Sequence, residues 1–253
     1  NTDSDAYRLK LPHFPPPEGL DRTGLASAAH SVFDPSGYLA PMVLSFRLLL
    51  REAFPGDAPW AAKASPDICD KYRDLCADFQ NIPRINIPRQ MLLDCKQPCR
   101  LVAYSDANLH AYGYALYAFQ EINGERSVRL IQGKFRLVPG KNKNAVVTVP
   151  RAELWAALLA NRALLFLKET LGRRWNVASV THYIDSQIVL HWLKNGCLLR
   201  KYEARRVQEI TDSNVCSDRR YISSAENPAD HCTKPLSYAA IIASAFLSGP
   251  APL

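Results

Sequence analysis

The pattern of apolar and polar positions changes near residue 99 of the chain. Before that point apolar residues recur at helical spacing twice, which predicts helices over residues 41–54 and 66–80. Residues 1–30 are rich in proline and lack a sustained period, so an extended arm is expected there. Three prolines then interrupt residues 82–98, and such a stretch is typical of a domain boundary.

After residue 99, stretches rich in aromatic and β-branched residues predict strands. Asn123-Gly124 separates two of them and predicts a tight hairpin. A run dense in Ala and Leu from Arg151 to Leu171 predicts a helix of about 30 Å. The predicted order is β β β α β α α β α, with strands at 101–105, 111–122, 128–138, 177–184 and 218–222, and helices at 151–171, 186–194, 201–210 and from 229 onward.

This order predicts an α+β fold around a five-stranded mixed sheet, with the first three strands antiparallel and helices on both faces. A small, mostly helical segment precedes the sheet. The predicted domains are therefore residues 1–98 and residues 99–248.

The net charge of the 253 residues is +7, and the excess is local. Residues 100–253 hold 20 basic and 12 acidic side chains, whereas residues 1–99 hold 11 and 12. A basic second part indicates a polyanionic partner. The densest basic cluster consists of Arg200, Lys201, Arg205 and Arg206.

Cysteine usage and apolar runs bear on where the protein works. Seven cysteines, an odd number without regular spacing, indicate thiols in a reducing compartment, and Cys95 and Cys99 lack the second pair that a zinc site needs. The longest apolar tracts are about half of what a bilayer requires, so no membrane segment is expected. The chain opens at Asn1 without Met or a signal peptide, which predicts an intracellular piece of a longer chain, in a cytoplasmic particle or the nucleus and not secreted.

Four carboxylates occupy the ends of predicted elements. Asp106 and Asp185 end the first and fourth strands of the sheet, while Glu153 and Asp230 open the long helix and the last helix. A single Asp at a strand end is usually a turn or cap residue. If strands one and four are neighbours, however, all four acids meet in one cleft and repel one another unless cations are present. Carboxylate oxygens without His or Cys favour Mg²⁺ or Mn²⁺.

The motifs around these acids carry a family resemblance. They read Tyr-Ser-Asp-Ala at 104–107, Ala-Tyr-Gly at 111–113, Pro-Arg-Ala-Glu-Leu at 150–154, Ile-Asp-Ser-Gln at 184–187, His-Trp-Leu-Lys at 191–194 and Glu-Asn-Pro-Ala-Asp at 226–230. In this order they resemble the ribonuclease H domain of BEL/Pao-type retrotransposon polyproteins. Residues 31–50 are similar to the end of the reverse transcriptase in the same polyproteins, which makes residues 1–98 its thumb- or connection-like remnant.

The resemblance implies a ribonuclease H-like fold that hydrolyses the RNA strand of RNA/DNA hybrids endonucleolytically. Its catalytic residues and ligands of two Mg²⁺ ions, for which Mn²⁺ could substitute, would be Asp106, Glu153, Asp185 and Asp230. The expected contacts to the hybrid are Ser186, Gln187 and Asn227 beside the acids, together with the basic cluster of Arg200, Lys201, Arg205 and Arg206. The implied protein partners are the upstream fingers and palm of the reverse transcriptase and the downstream integrase.

Some features depart from this resemblance. Bacterial ribonucleases H have a His in the loop before the final Asp, but none lies between Tyr221 and Asp230, although Glu226 and His231 are near. The alternative is therefore a non-catalytic nucleic-acid-binding or scaffolding remnant of a retroelement, which predicts salt-sensitive hybrid binding without metal-dependent turnover. An integrase is disfavoured because its Glu comes third among the acids, whereas Glu153 comes second.

Two tryptophans are the candidates for stacking on bases. Trp155 and Trp192 both fall on apolar faces of predicted helices. Large aromatic side chains in that setting usually belong to the core, so both are predicted as core residues.

Overall fold

The computed structural model describes residues 5–140, 147–196 and 199–250. The chain divides into two compact units, one of residues 1–90 with 235–243 and one of residues 91–234 with 244–253. The predicted boundary between residues 98 and 99 differs from this division and falls inside a strand, Pro98–Ala107. The prolines led to this boundary, but the last of them, Pro98, is the first residue of the strand. A proline is tolerated at that position because no hydrogen bond between strands is lost there.

The regular elements follow one another along both units. In chain order they are β1 (Ala6–Arg8), α1 (Arg22–Ser31), α2 (Ala40–Ala53), α3 (Pro66–Phe79), β2 (Asn86–Pro88), β3 (Pro98–Ala107), β4 (Ala111–Ile122), β5 (Glu125–Leu137), α4 (Val149–Leu171), β6 (Asn176–Ile184), α5 (Gln187–Asn195), α6 (Lys201–Asp212), β7 (Asp218–Tyr221), α7 (Tyr238–Ala243) and α8 (Ala245–Ser248), with short 3₁₀ helices at Ile82–Arg84, Ser224–Glu226 and Pro228–Cys232.

The first unit packs its helices around a cluster of aromatic rings. Phe46 lies between Phe14 and Phe79, with ring centroids 5.2 Å from both. The predicted helices α2 and α3 are confirmed, but the arm expected over residues 1–30 contains α1. The Asp21 side chain caps this helix by accepting the Gly24 N–H at 2.8 Å. The prolines nearby made the segment resemble an extended arm, so this capping residue was not recognised.

The second unit holds the five-stranded sheet, in the order β5-β4-β3-β6-β7. β3, β4 and β5 pair antiparallel, and β6 lies parallel to both β3 and β7. Asn123 and Gly124 have φ angles of 52° and 84°, the left-handed conformation that a two-residue hairpin turn requires. The predicted α+β fold with a mixed sheet is confirmed.

Helices cover both faces of this sheet. On one face α4 buries Ala160 and Leu164 against Leu101, Ala103 and neighbouring strand residues. The other face receives the 3₁₀ helix Pro228–Cys232 and α8, where the Tyr117 hydroxyl donates to the Phe246 carbonyl at 2.8 Å. α5 and α6 extend the first layer by packing against α4.

The last predicted helix, from residue 229 onward, is wrong as a continuous element. A 3₁₀ helix, Pro228–Cys232, is followed by two short α-helices, α7 and α8. Pro235 separates the 3₁₀ helix from α7, because proline has no N–H to donate and cannot continue a helix interior. Within the described residues, no helix combines the length and apolar character needed to cross a membrane.

Candidate active site

Two acids leave neighbouring strands at the same edge of the sheet. β3 and β6 run parallel with Ser105 paired to Ile184, so Asp106 and Asp185 follow side by side. Their carboxyl groups lie close enough that each shifts the pKa of the other. Two acids that are 79 positions apart in the sequence meet because the crossover through α4 returns the chain to the strand beside β3.

The other two predicted acids come from the helices above this edge. Glu153 lies in the second turn of α4, and its charge acts on Asp106 and Asp185. Asp230 lies in the 3₁₀ helix Pro228–Cys232, and its charge acts on Asp106. The structure therefore brings Asp106, Glu153, Asp185 and Asp230 together, and we call them the acid cluster.

Each acid also has a hydrogen-bond or ion-pair partner. The sequence analysis either did not name that partner or assigned it a different role. The Thr233 hydroxyl donates to Asp106, and the Ser224 hydroxyl donates to Asp185 Oδ2 at 3.2 Å. Lys234 Nζ lies 2.7 Å from Asp230 Oδ1. Lys234 lies four residues after Asp230, the spacing at which helical side chains meet, whereas the contacts of Thr233 and Ser224 have no local sequence signal.

Burial sets the electrostatics of the cluster. Asp106 is 7% exposed. Its burial, reinforced by the charges of Asp185 and Asp230, raises the pKa of Asp106 to about 7 against the Thr233 hydrogen bond, which lowers it. Burial likewise raises the pKa of Asp185 and of Glu153. The cluster therefore resists full ionisation and favours a proton or cation among its oxygens.

The donor chemistry of the cluster fits a hard divalent cation. It offers carboxylate oxygens alone, the ligands that Mg²⁺ and Mn²⁺ prefer. As arranged, the described residues contain no group of three or more His, Cys, Asp or Glu side chains that could hold a metal ion. Two of the four acids are engaged by other side chains, since Glu153 accepts a hydrogen bond from Ser186 Oγ at 2.5 Å and Asp230 pairs with Lys234.

Two of the predicted hybrid contacts are already used inside the protein. Ser186 caps α5 and donates to Glu153, so its hydroxyl holds an acid in place. Asn227 is buried and donates to the Ser105 carbonyl at 3.0 Å, while its Oδ1 accepts the Ala229 N–H at 3.1 Å. Of this group only Gln187 is exposed beside the acids.

The basic cluster of Arg200, Lys201, Arg205 and Arg206 lies at the start of α6 and not at the acid cluster. Arg200, Lys201 and Arg205 are exposed. The guanidinium of Arg206 lies 3.5 Å from the centroid of the Tyr202 ring. An ion pair between the half-buried Arg151 Nε and the buried Glu203 Oε1 at 2.5 Å joins the start of α6 to the start of α4.

The loop before the last acid contains no His, and the two nearby candidates are engaged elsewhere. The His231 ring makes an edge contact with the Phe246 ring at 6.3 Å between centroids, and burial lowers its pKa. Glu226 accepts a hydrogen bond from the Ser223 hydroxyl at 2.6 Å.

Family comparison assigns most of the chain. The sequence model of a protein family described as "Pao retrotransposon-like RNaseH-like domain" matches residues 21–186. The match includes three of the four acids, and it begins within the first unit of the structure. No curated protein sequence matches the chain.

Solved structures show likenesses of low identity. RNase H1 from the halophilic archaeon Halobacterium salinarum is 14% identical, over 51% of this chain and 88% of that chain, with a TM-score of 0.27. LC11-RNase H1 in complex with an RNA/DNA hybrid is 15% identical, over 51% and 88%, with a TM-score of 0.30. A foamy viral protease-reverse transcriptase in complex with double-stranded DNA is 10% identical, over 79% of this chain and 34% of that chain, with a TM-score of 0.42.

Proposed function

The chain belongs to the family of Pao retrotransposon-like RNaseH-like domains, and we propose from this premise that it hydrolyses the RNA strand of RNA/DNA hybrids endonucleolytically. The observation that carries the proposal is the meeting of Asp106 and Asp185 at one sheet edge, within electrostatic reach of Glu153 and Asp230. A folding domain gains nothing from burying like charges together, so such a cluster indicates chemistry.

Asp106, Glu153, Asp185 and Asp230 would hold two Mg²⁺ ions, or Mn²⁺ in their place. When bound, the ions supply an activated water and stabilise the leaving 3′ oxygen of the cleaved phosphodiester. In their absence Asp106 holds a proton near neutral pH, since burial raises its pKa to about 7. Cation binding would displace that proton, so metal uptake would release acid.

The neutral partners of the acids orient them for this work. Thr233 and Ser186 donate to Asp106 and Glu153, and fix which carboxylate oxygen remains for a ligand. Asn227 ties the loop that precedes Asp230 to the β3 backbone at Ser105. We therefore propose that Ser186 and Asn227 position the acid cluster and that Gln187 contacts the RNA strand.

The hybrid offers 2′-hydroxyls on one strand and phosphates on both, features independent of sequence. The exposed Arg200 and Lys201 supply positive charge for those phosphates. We further propose that residues 1–98 are the thumb- or connection-like remnant of a reverse transcriptase. The fingers and palm of that enzyme would lie upstream and an integrase downstream in the parent polyprotein.

A labelled RNA/DNA hybrid incubated with the full chain and Mg²⁺ tests the proposal. We expect internal cleavage of the RNA strand, and a loss of at least about 1000-fold in Asp185→Asn because one cluster carboxylate is gone. The matched control is Asp218→Asn, which removes an exposed acid of the adjacent strand β7 and should cleave normally. Absent cleavage, or cleavage unchanged in Asp185→Asn, would falsify the proposal.

The second candidate function is a non-catalytic nucleic-acid-binding or scaffolding module. One observation favours it, namely the ion pair that Lys234 forms with Asp230, because an ammonium there competes with a cation ligated by the same carboxylate. This candidate predicts that hybrid binding weakens with salt and that no cleavage follows when Mg²⁺ or Mn²⁺ is added.

A further inference from the structure

An open cleft of about 600 Å³ lies in the second unit between α4, α6 and the adjoining ends of β4 and β5. Three aromatic rings line it in sequence. The Tyr112 and Trp155 ring centroids are 5.4 Å apart, and those of Trp155 and Tyr202 are 6.5 Å apart. Tyr202 is 41% exposed and Trp155 is half-buried, so this part of the core edge is open to solvent. Trp155, which was predicted as a core residue, therefore packs against the core with one side of its ring and lines the cleft with the other.

Arginines surround the rings on the open side, and we call the whole the arginine cleft. Arg136 and Arg205 line it, are exposed, and have no ion-pair partner within the part of the chain that the structure describes. Arg206 lies over the Tyr202 ring. A fourth lining arginine, Arg162, is neutralised by Glu209, whose two oxygens accept from it at 2.6 and 2.9 Å. The cleft therefore carries a positive charge beside flat aromatic surfaces.

This combination has a specific chemical complement. Aromatic faces stack on bases, and guanidinium groups pair with phosphates, but bases are available for stacking only where a nucleic acid is unpaired. Arg206 covers one face of the Tyr202 ring, and a protein ligand with acidic side chains would satisfy the free arginines but leave the exposed part of that ring without a flat partner. Among polyanions, the charge and the rings together favour a single strand over a duplex.

We propose that the arginine cleft binds unpaired nucleotides, with a base stacked on Tyr202 and phosphates paired with Arg136 and Arg205. Such a segment occurs wherever one strand of a hybrid continues beyond the paired region. The proposal requires a nucleic acid as partner but no cleavage, so it stands apart from the proposed hydrolysis.

The cleft is separate from the acid cluster even though both use α4. Glu153 and Trp155 are two positions apart, which places their side chains about 200° apart around the helix axis. The Arg151–Glu203 ion pair links the starts of α4 and α6. Substitutions at the open side of the cleft therefore leave the acids untouched.

Fluorescence anisotropy of labelled dT12 and U12 with the full chain in EDTA tests the proposal without metal or turnover. We expect Tyr202→Ala to weaken binding of these oligonucleotides about tenfold, because one stacking surface is lost. Arg205→Ala should weaken binding about threefold and reduce the slope of log affinity against log salt by about 0.7, the value for one phosphate contact on a single strand.

Two matched controls lie on or beside the same helix, α4, but outside the cleft. Phe166→Ala removes an aromatic ring that is 65% exposed, and Arg173→Ala removes an exposed arginine just past the end of the helix. Both should bind dT12 and U12 as the unaltered chain does, and circular dichroism should show all four variants folded.

Three outcomes would overturn the proposal. In the first, Tyr202→Ala and Arg205→Ala bind the oligonucleotides no more weakly than Phe166→Ala and Arg173→Ala. In the second, they weaken binding of a blunt RNA/DNA duplex as much as that of single strands, which would make the cleft a contact for paired backbone. In the third, a poly-glutamate peptide displaces dT12 at equal charge concentration, which would make it a general anion surface. Loss of hybrid cleavage in the same samples would bear on the proposed hydrolysis alone.

Discussion

The acid cluster lies largely buried at the end of two parallel strands, with Asp106 at its most buried point, whereas the arginine cleft lies open between two helices. Asp106 is 7% exposed, and its carboxyl group interacts with that of Asp185 at the end of the neighbouring strand. Tyr202 is 41% exposed, and its ring meets the Trp155 ring and the Arg206 guanidinium. In the first region backbone pairing brings the charged groups together, and in the second side-chain packing does so.

This difference decides what a substitution does in each region. A buried carboxylate that is repelled by its neighbours costs folding free energy, so its removal changes both stability and chemistry. An exposed ring or arginine contributes little to folding, so its removal changes binding alone. Variants of the two regions should therefore separate into two classes when stability and function are both measured.

The largest expected effect belongs to Asp106→Asn. Hybrid cleavage should fall at least about 1000-fold, because the substitution removes a cluster carboxylate. The same variant should be more stable at pH 8, with a free energy of unfolding about 2 kcal/mol higher, because the buried charge of a group with a pKa of about 7 is gone. Urea unfolding followed by circular dichroism measures the gain.

The control for this variant is Asp218→Asn. Asp218 is exposed in β7 and lies 2.5 Å from Arg220, whose hydrogen bond lowers its pKa. Its replacement should bring no gain in stability and no loss of cleavage. An Asp106→Asn protein that unfolds more easily than the unaltered chain would contradict the view that the cluster is strained by its own charge.

The acid cluster was predictable from sequence and the arginine cleft was not. Asp106 and Asp185 follow strands with a clear pattern, and a parallel pair of strands must end at the same edge. The cleft depends on how Trp155 of α4 meets Tyr202 of α6, a distance that no local pattern encodes. The partners Thr233 and Lys234 were missed for the same reason, since their contacts follow from the fold of the segment after Asp230.

The fold shows the same limit. Strands β3 to β7 and helices α2 to α6 follow from their apolar periods, which local sequence carries. α1 was missed because the prolines before it dominate the composition of residues 1–30. Residues 235–243, which belong to the first unit, carry a helical apolar run that does not reveal which core it joins.

The second expected effect is a change of stability with pH. Each group with a shifted pKa changes the free energy of unfolding by about 1.4 kcal/mol per pH unit at most. His182 is fully buried, with Nε2 2.9 Å from Ser105 Oγ, and burial lowers its pKa from 6.5 to about 3. Between these values the unfolded chain binds the extra proton, so His182 makes the protein less stable as pH falls. Asp106 acts oppositely between pH 3.8 and about 7, because there the folded state binds the proton.

The two slopes should nearly cancel in the unaltered chain, and single substitutions should expose them. Relative to the unaltered chain, Asp106→Asn is expected to lose about 2 kcal/mol more stability between pH 6.5 and 4.5, because the Asp106 slope that opposes the His182 slope is gone. His182→Gln should gain stability over the same interval. Urea unfolding at these two pH values measures both, and His191→Ala, an exposed His of α5, is the control that should behave like the unaltered chain.

The smallest expected effect concerns Lys234, whose ammonium lies 2.7 Å from Asp230 Oδ1 and also interacts with Asp106 and Asp185. Because a positive charge beside the acid cluster opposes cation binding, Lys234→Met should tighten Mg²⁺ binding about threefold to tenfold, as measured by calorimetry. Lys168→Met, at the other end of α4, removes the same charge and should leave Mg²⁺ affinity unchanged. Weaker Mg²⁺ binding in Lys234→Met would instead mean that the lysine holds Asp230 in its ligating position, and the acid cluster would then depend on side-chain contacts as the arginine cleft does.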